Sequence, residues 1–301
     1  MSNITAKDLF GSMTALVTPM SSNAGVNYAQ WEELVQVQIE SGIAGIIVAG
    51  STGESAMLGA DEINHLTQTT VKLVEGTNTK VIVGTGHVCF EKVIQNNQQA
   101  YKMGANAVLV VTPYYIRTTQ AGLQKHFQAI AEQTELPIIL YNVPTRTQND
   151  LLPETVVKLA KHPQIIGIKE AVSENDRIQD LIKLCPKDFA IMSGDDDSFC
   201  DSIQKGAHGV ISVASNVRPL AVTDICNFLA LGDVISANKL NSSLDSLYKM
   251  LSCQPNPIPV KRLMNDAGLI DKGIRLPLIW MDEKITDSES EIKQIIKEYK
   301  I

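Results

Sequence analysis

The 301-residue sequence predicts an α/β protein: a (β/α)8 TIM barrel followed by a small C-terminal all-helical appendage. Three observations carry this. Eight short apolar runs recur along residues 1–231, helical patterns separate them, and strand-like runs stop after Leu231. The runs fall at 13–19, 45–50, 81–86, 107–113, 137–144, 165–171, 190–196 and 209–215. They are nearly unbroken in aliphatic residues, as strands covered on both faces are. A doubly wound open sheet is the competing architecture, but Gly84-Thr85-Gly86-His87-Val88-Cys89 lacks the third glycine of its phosphate fingerprint.

The helical patterns follow in order. Trp31, Leu34, Val35 and Ile39 form one stripe, stopped by Gly42. Asp61 reads as the N-cap of the next helix, with Ile63, Leu66, Leu73 and Val74 inward. Leu123, Phe127, Ile130 and Ala131 mark the helix after the fourth strand. Pro153 suits a first helical turn, with Val156, Val157 and Ala160 inward. Ile178, Leu181 and Ile182 come next, then Phe199, Cys200 and Ile203 before Gly206. Beyond the barrel, 234–251 reads as one long helix and Gln254-Pro255-Asn256-Pro257-Ile258-Pro259 as a rigid loop. A helix over 260–267 ends at Gly268, and a last amphipathic helix spans 287–299. The division is thus a barrel domain, residues 1–231, carrying the active site, and a helical domain, residues 232–301.

A formal charge of −7 argues against a nucleic-acid partner. Apolar runs fall short of the roughly 18 residues of a membrane span, and the first ten residues do not read as a secretory signal. The expected location is the cytoplasm. Cys89, Cys185, Cys200, Cys226 and Cys253 are scattered and form no C-x-x-C, so buried free thiols are expected. The five histidines show no metal-ligand spacing, so no metal is expected.

The chemistry centres on Ile165-Ile166-Gly167-Ile168-Lys169-Glu170-Ala171. Strand alternation puts Ile166 and Ile168 on one face, and Gly167 and Lys169 on the other. A lysine at the end of a buried strand is a poor packing residue, and a neutral amine attacks carbonyl carbon. Barrel active sites collect where the strands end. Those ends carry Gly50-Ser51-Thr52-Gly53-Glu54, Thr112-Pro113-Tyr114-Tyr115, Tyr141 with Arg146 shortly after, Lys169, and Ser193-Gly194-Asp195-Asp196-Asp197. Tyr141 and Lys169 end neighbouring strands, about 4.8 Å apart, so a phenol and an amine reach one small substrate. Ser51-Thr52, in a glycine-flanked turn, suits a carboxylate. Asp195–Asp197 reads as a solvated loop and helix cap.

At these residues the sequence resembles the dihydrodipicolinate (4-hydroxy-tetrahydrodipicolinate) synthase family of pyruvate-dependent class I aldolases. The motifs are Gly50–Glu54, Val111–Tyr115, Tyr141-Asn142-Val143-Pro144, Gly167–Glu170, Gly194-Asp195-Asp196 and Pro255–Lys261. The resemblance implies that Lys169 forms a Schiff base with pyruvate and Tyr141 moves the protons. It implies a relay completed by Ser51 and by Tyr115, which enters the neighbouring subunit's site. Thr52, Gly194 and the Ile211 carbonyl would line the pyruvate pocket, and Arg146 would bind the carboxylate of aspartate 4-semialdehyde. It implies no cofactor and a homotetramer built from tight dimers. The synthases usually have threonine where this chain has Ser51, a serine familiar in sialic acid lyases, whereas Arg146 is absent from the lyases. The alternatives are therefore another pyruvate aldolase, acting on N-acetylneuraminate or 4-hydroxy-2-oxoglutarate, and, in another class, a non-catalytic 2-oxoacid sensor. In lysine-inhibited members an asparagine and a glutamate hold the effector. Val88 and Lys92 stand there, and Ala60 and Ile63 replace polar residues, so insensitivity to lysine is expected.

Overall fold

All eight runs are strands of one closed parallel barrel, each bonded to the next in sequence and the last to the first. They are β1 (Gly11–Ala15), β2 (Gly45–Val48), β3 (Lys80–Gly84), β4 (Ala107–Val111), β5 (Ile138–Asn142), β6 (Ile165–Glu170), β7 (Ala190–Ser193) and β8 (Gly209–Ser212). The computed structural model describes residues 4–172 and 175–281. Each strand stops short of the apolar run that announced it, because the run's last residues turn outward as loops. The lumen is packed by Met13, Ile47, Ile82, Leu109, Ile139, Met192 and Ile211, so it is a core and not a pore.

The helices of the barrel are α1 (Tyr28–Glu40), α2 (Ala60–Leu73), α3 (Phe90–Lys102), α4 (Gln120–Ala131), a single turn α5 (Pro144–Thr147), α6 (Pro153–Leu159), α7 (Asn175–Leu184), α8 (Phe199–Gln204) and α9 (Pro219–Ala230). Trp31, Leu34 and Val35 of α1, and Leu123, Phe127 and Ile130 of α4, are buried against the sheet as their spacing requires. After the barrel come α10 (Val234–Ser242), α11 (Asp245–Ser252) and α12 (Ile258–Asp266). Leu247, Tyr248, Leu263 and Met264 from these helices share one hydrophobic cluster with Leu16, Val17 and Trp31. No helix among the described residues is long and apolar enough to cross a membrane.

Four expectations are corrected. Ile166 and Ile168 do not share a face. The β5–β6 register steps from Ile138↔Ile165 to Ile139↔Gly167, so Ile166 is an extra, bulged residue. It packs on the lumen cluster, while Ile168 lies in the helix-side cluster. Asp61 is not the N-cap of α2. Gly59 is, and Glu62 Oε2 accepts its N–H at 2.8 Å. The expected helix over 234–251 is two helices. Ser243 Oγ donates to the Leu240 carbonyl at 2.6 Å, and that local bond competes with the helical ladder. Among the cysteines, Cys200 and Cys226 are buried, Cys185 is half-buried, and Cys89 and Cys253 are exposed; all five are free. The expected helix at 287–299 lies outside the described residues.

Candidate active site

Lys169 and Tyr141 are register partners on adjacent strands, and Met192 flanks Lys169 on the other side. Lys169 Nζ stands 4.6 Å from the centroid of the Tyr141 ring. Both residues are buried, and both line a cavity of about 230 Å³ at the C-terminal end of the barrel. A second fully buried lysine, Lys261, shows what sets Lys169 apart. Lys261 Nζ is in direct contact with the equally buried Glu54 Oε1. Lys169 instead faces an open cavity beside a phenol.

Gly194 makes room for the amine. Its N–H donates to the Glu170 carbonyl at 2.7 Å, and a Cβ there would come within 2.9 Å of Lys169 Cε. Ser51 and Thr52 line the same cavity from the turn after β2. Thr52 is nearly buried, and its Oγ1 accepts from Asn256 Nδ2 at 2.9 Å. The Asn256 carbonyl accepts from Arg146 Nη2 at 3.1 Å. Arg146 sits on the one-turn helix α5, exposed at the cavity's rim. The cavity thus offers one amine, one phenol, hydroxyls on a tight turn and a guanidinium: a set suited to a small 2-oxo acid below and a second carboxylate above.

Two expected site residues are not brought to this cavity. Ile211 is fully buried in the lumen cluster and does not line it. Val213, two residues on in the loop after β8, does. Tyr115 does not line its own chain's cavity either. It is 93 % exposed with φ of 70°, a conformation uncommon for a bulky residue. Tyr114 beside it is half-buried, its ring 6.2 Å from that of His87.

The solvated reading of Asp195–Asp197 fails for Asp196. That side chain is enclosed, accepting from Ser212 Oγ at 2.5 Å and from the N–H groups of Val213 and Ala214 at 3.0 and 2.9 Å. It pins the loop after β8, and burial raises its pKa against those donors. Nor does Asp195 cap the following helix: the N-cap of α8 is Ser198, and Asp195 accepts from the Ser198 N–H and hydroxyl, closing the turn before it. Among the described residues, no group of three His, Cys, Asp or Glu side chains is placed to hold a metal.

Sequence reasoning missed two contributors. Asn256 lay in a stretch read as a loop and as part of the Pro255–Lys261 motif but given no role, and its link to Thr52 needs the fold to bring them together. Glu170 follows the lysine and points away from it. It accepts from Asn142 Nδ2 at 3.1 Å and from the Val172 N–H at 3.0 Å, with Arg177 Nη1 3.8 Å away. Burial pushes its pKa up to about 7 in spite of those partners. Asn142 Nδ2 also donates to Asp150, which Arg177 clasps with two bonds of 2.7 Å. This network ties the ends of β5 and β6, and so fixes the spacing of Tyr141 and Lys169.

Residues 8–298 match the model of the dihydrodipicolinate synthetase family. The chain is 44 % identical over 270 residues to the 4-hydroxy-tetrahydrodipicolinate synthase of Laribacter hongkongensis, covering 90 % of this chain and 92 % of that one. It is similar to the chloride-inhibited dihydrodipicolinate synthase of Acinetobacter baumannii, solved in complex with pyruvate. The TM-score there is 0.91 at 39 % identity, covering 96 % of this chain and 98 % of the other. It is also similar to a dihydrodipicolinate synthase variant described as monomeric, with a TM-score of 0.92 at 38 % identity and 97 % of each chain covered.

Proposed function

The chain belongs to the dihydrodipicolinate synthetase family, and on that premise we propose that it is a class I aldolase-type lyase that condenses pyruvate with L-aspartate 4-semialdehyde to 4-hydroxy-tetrahydrodipicolinate, in the lysine and diaminopimelate pathway. The observation that carries the reading is the Lys169 amine over the Tyr141 ring in a cavity rimmed by Arg146. Lys169 Nζ attacks C2 of pyruvate, and water leaves as the imine forms. Tyr141 accepts and returns the protons of that step, with Ser51 as the next hydroxyl of the relay. Thr52 and Gly194 bound the space for the pyruvate carboxylate, with Ile211 beneath. Loss of a C3 proton gives the enamine, whose C3 attacks the aldehyde carbon while Arg146 holds the second carboxylate. The substrate's own amine then displaces Lys169 from C2, closing the ring and freeing the enzyme. The electron sink is the imine itself, so the reaction takes no cofactor or metal.

The assembly is part of the same proposal. Tyr115, extended from its own chain at positive φ, is suited to complete the relay in a neighbouring subunit of a homotetramer built from dimers. So is the division into residues 1–231 and 232–301, the second part closing the site through Asn256. Cytoplasmic action with small-molecule substrates completes the reading. A coupled assay with pyruvate and aspartate semialdehyde, run beside N-acetylneuraminate cleavage, tests it. Turnover of the first pair alone supports it, and turnover of the second alone assigns the site to the lyases.

A further inference from the structure

We infer that Asn256 is a positioning residue that serves both substrates at once: its side chain turns the Thr52 hydroxyl toward the pyruvate carboxylate, and its backbone carbonyl holds Arg146 for the second carboxylate. The inference rests on the proposed function and adds to it a residue from outside the barrel.

A threonine hydroxyl has one proton to give and two lone pairs to accept with. Thr52 Oγ1 accepts from Asn256 Nδ2 at 2.9 Å, and among the described residues it donates to none. An amide N–H only donates, so Asn256 occupies a lone pair and leaves the proton for an anion. Thr52 and Asn256 both line the catalytic cavity, and Thr52 is 3 % exposed. A hydrogen bond to a carboxylate is about twice as strong as one between neutral groups. The direction of one proton thus decides whether this turn attracts an anion.

The same residue reaches the other subsite. Its carbonyl accepts from Arg146 Nη2 at 3.1 Å, which orders the exposed guanidinium before the second substrate arrives. Asn256 can act on both because its segment is anchored from behind. It leads into α12, where Lys261 is enclosed against Glu54, two residues beyond Thr52. The Lys261 N–H donates to the Pro257 carbonyl at 3.0 Å, and the Ile258 N–H to the Pro255 carbonyl at 3.0 Å. On the far side of the turn, Thr18 Oγ1 donates to the Gly53 carbonyl at 2.7 Å. These supports do not line the cavity. Asn256 Oδ1 is enclosed and has no partner among the described residues, so truncating the side chain removes the bond to Thr52 and little else.

Borohydride trapping of the full chain at rising pyruvate, together with steady-state rates, tests this. Asn256→Ala should raise the half-saturating pyruvate concentration about three- to tenfold. The near-isosteric Asn256→Asp should raise it at least about tenfold further, because a carboxylate takes the Thr52 proton and adds a like charge. In a Thr52→Val background, Asn256→Ala should weaken trapping no further, since its route to pyruvate is gone. At saturating pyruvate, Asn256→Ala should also raise KM for the semialdehyde, while kcat stays within about threefold. Asn256→Asp keeps the shape of the side chain, so its comparison with the wild type stands even where alanine loosens the loop. A wild type that traps no pyruvate would overturn the proposed function and this inference together. Trapping by the wild type, with Asn256→Asp no weaker than Asn256→Ala, with additive losses in Thr52→Val, or with kcat lost at unchanged half-saturation, would overturn the inference alone.

Discussion

Replacing Lys261 with methionine removes the cation from a fully enclosed ion pair. Lys261, in the first turn of α12, meets Glu54 just after the Ser51-Thr52 turn, and neither side chain is exposed. Methionine keeps the bulk but leaves the Glu54 carboxylate with the Arg275 N–H, 3.0 Å from Oε2. Stranding one member of a buried pair costs about 3–5 kcal/mol. Folded domains have about 5–15 kcal/mol in hand, so the loss is a large share. At about 2–4 °C per kcal/mol for a chain of this class, Tm should fall by roughly 6–20 °C. Burial holds the Lys261 ammonium pKa down while Glu54 pulls it up, so the pair itself is a compromise. Removing both charges, as Glu54→Leu with Lys261→Met, should therefore recover more than half of the loss. Urea unfolding and thermal melts at pH 7 measure this. A Lys261→Met loss below about 1 kcal/mol, or a double variant less stable than the single one, would refute the assignment of the pair as the tie between α12 and the catalytic turn.

Three further outcomes are expected. The folded-state pKa of Glu170 is raised to about 7 from an ordinary 4.5, so the folded protein binds more protons between those values and stability falls as pH rises through that window. The slope amounts to on the order of 3 kcal/mol, and Glu170→Gln should flatten it; equal slopes in pH-dependent urea titrations would contradict the burial argument. In Arg146→Ala, borohydride-trapped imine with pyruvate should persist while turnover with the semialdehyde falls about a hundredfold or more, and equal loss of both steps would make Arg146 structural. L-lysine at millimolar concentration should leave the rate unchanged, because Lys92 stands where a cationic effector needs an acid; clear inhibition below one millimolar would show that another carboxylate, such as exposed Glu91, serves instead.

The barrel was legible because strands covered on both faces must be aliphatic throughout, and because Gly42, Gly206 and Gly268 stop their helices with positive φ. Lys169 and Tyr141 were legible as polar residues ending such strands. What was not legible depends on neighbours distant in sequence. The bulge at Ile166 is set by the β5–β6 register, not by its own residues. Asp196 looks like a loop residue until the turn after β8 encloses it. Asn256 reaches Thr52 from 204 positions away. The break before Leu244 did have a local signal in Ser243, whose hydroxyl competes with the helical ladder.

The central claim is that Lys169 is the covalent nucleophile. Incubation with pyruvate, reduction with borohydride and peptide mass mapping test it directly. The reduced three-carbon adduct should sit on Lys169 alone, with activity lost in proportion, and the buried, Glu54-paired Lys261 should remain unmodified. An adduct on another lysine, or an active enzyme that no treatment labels, would contradict the account.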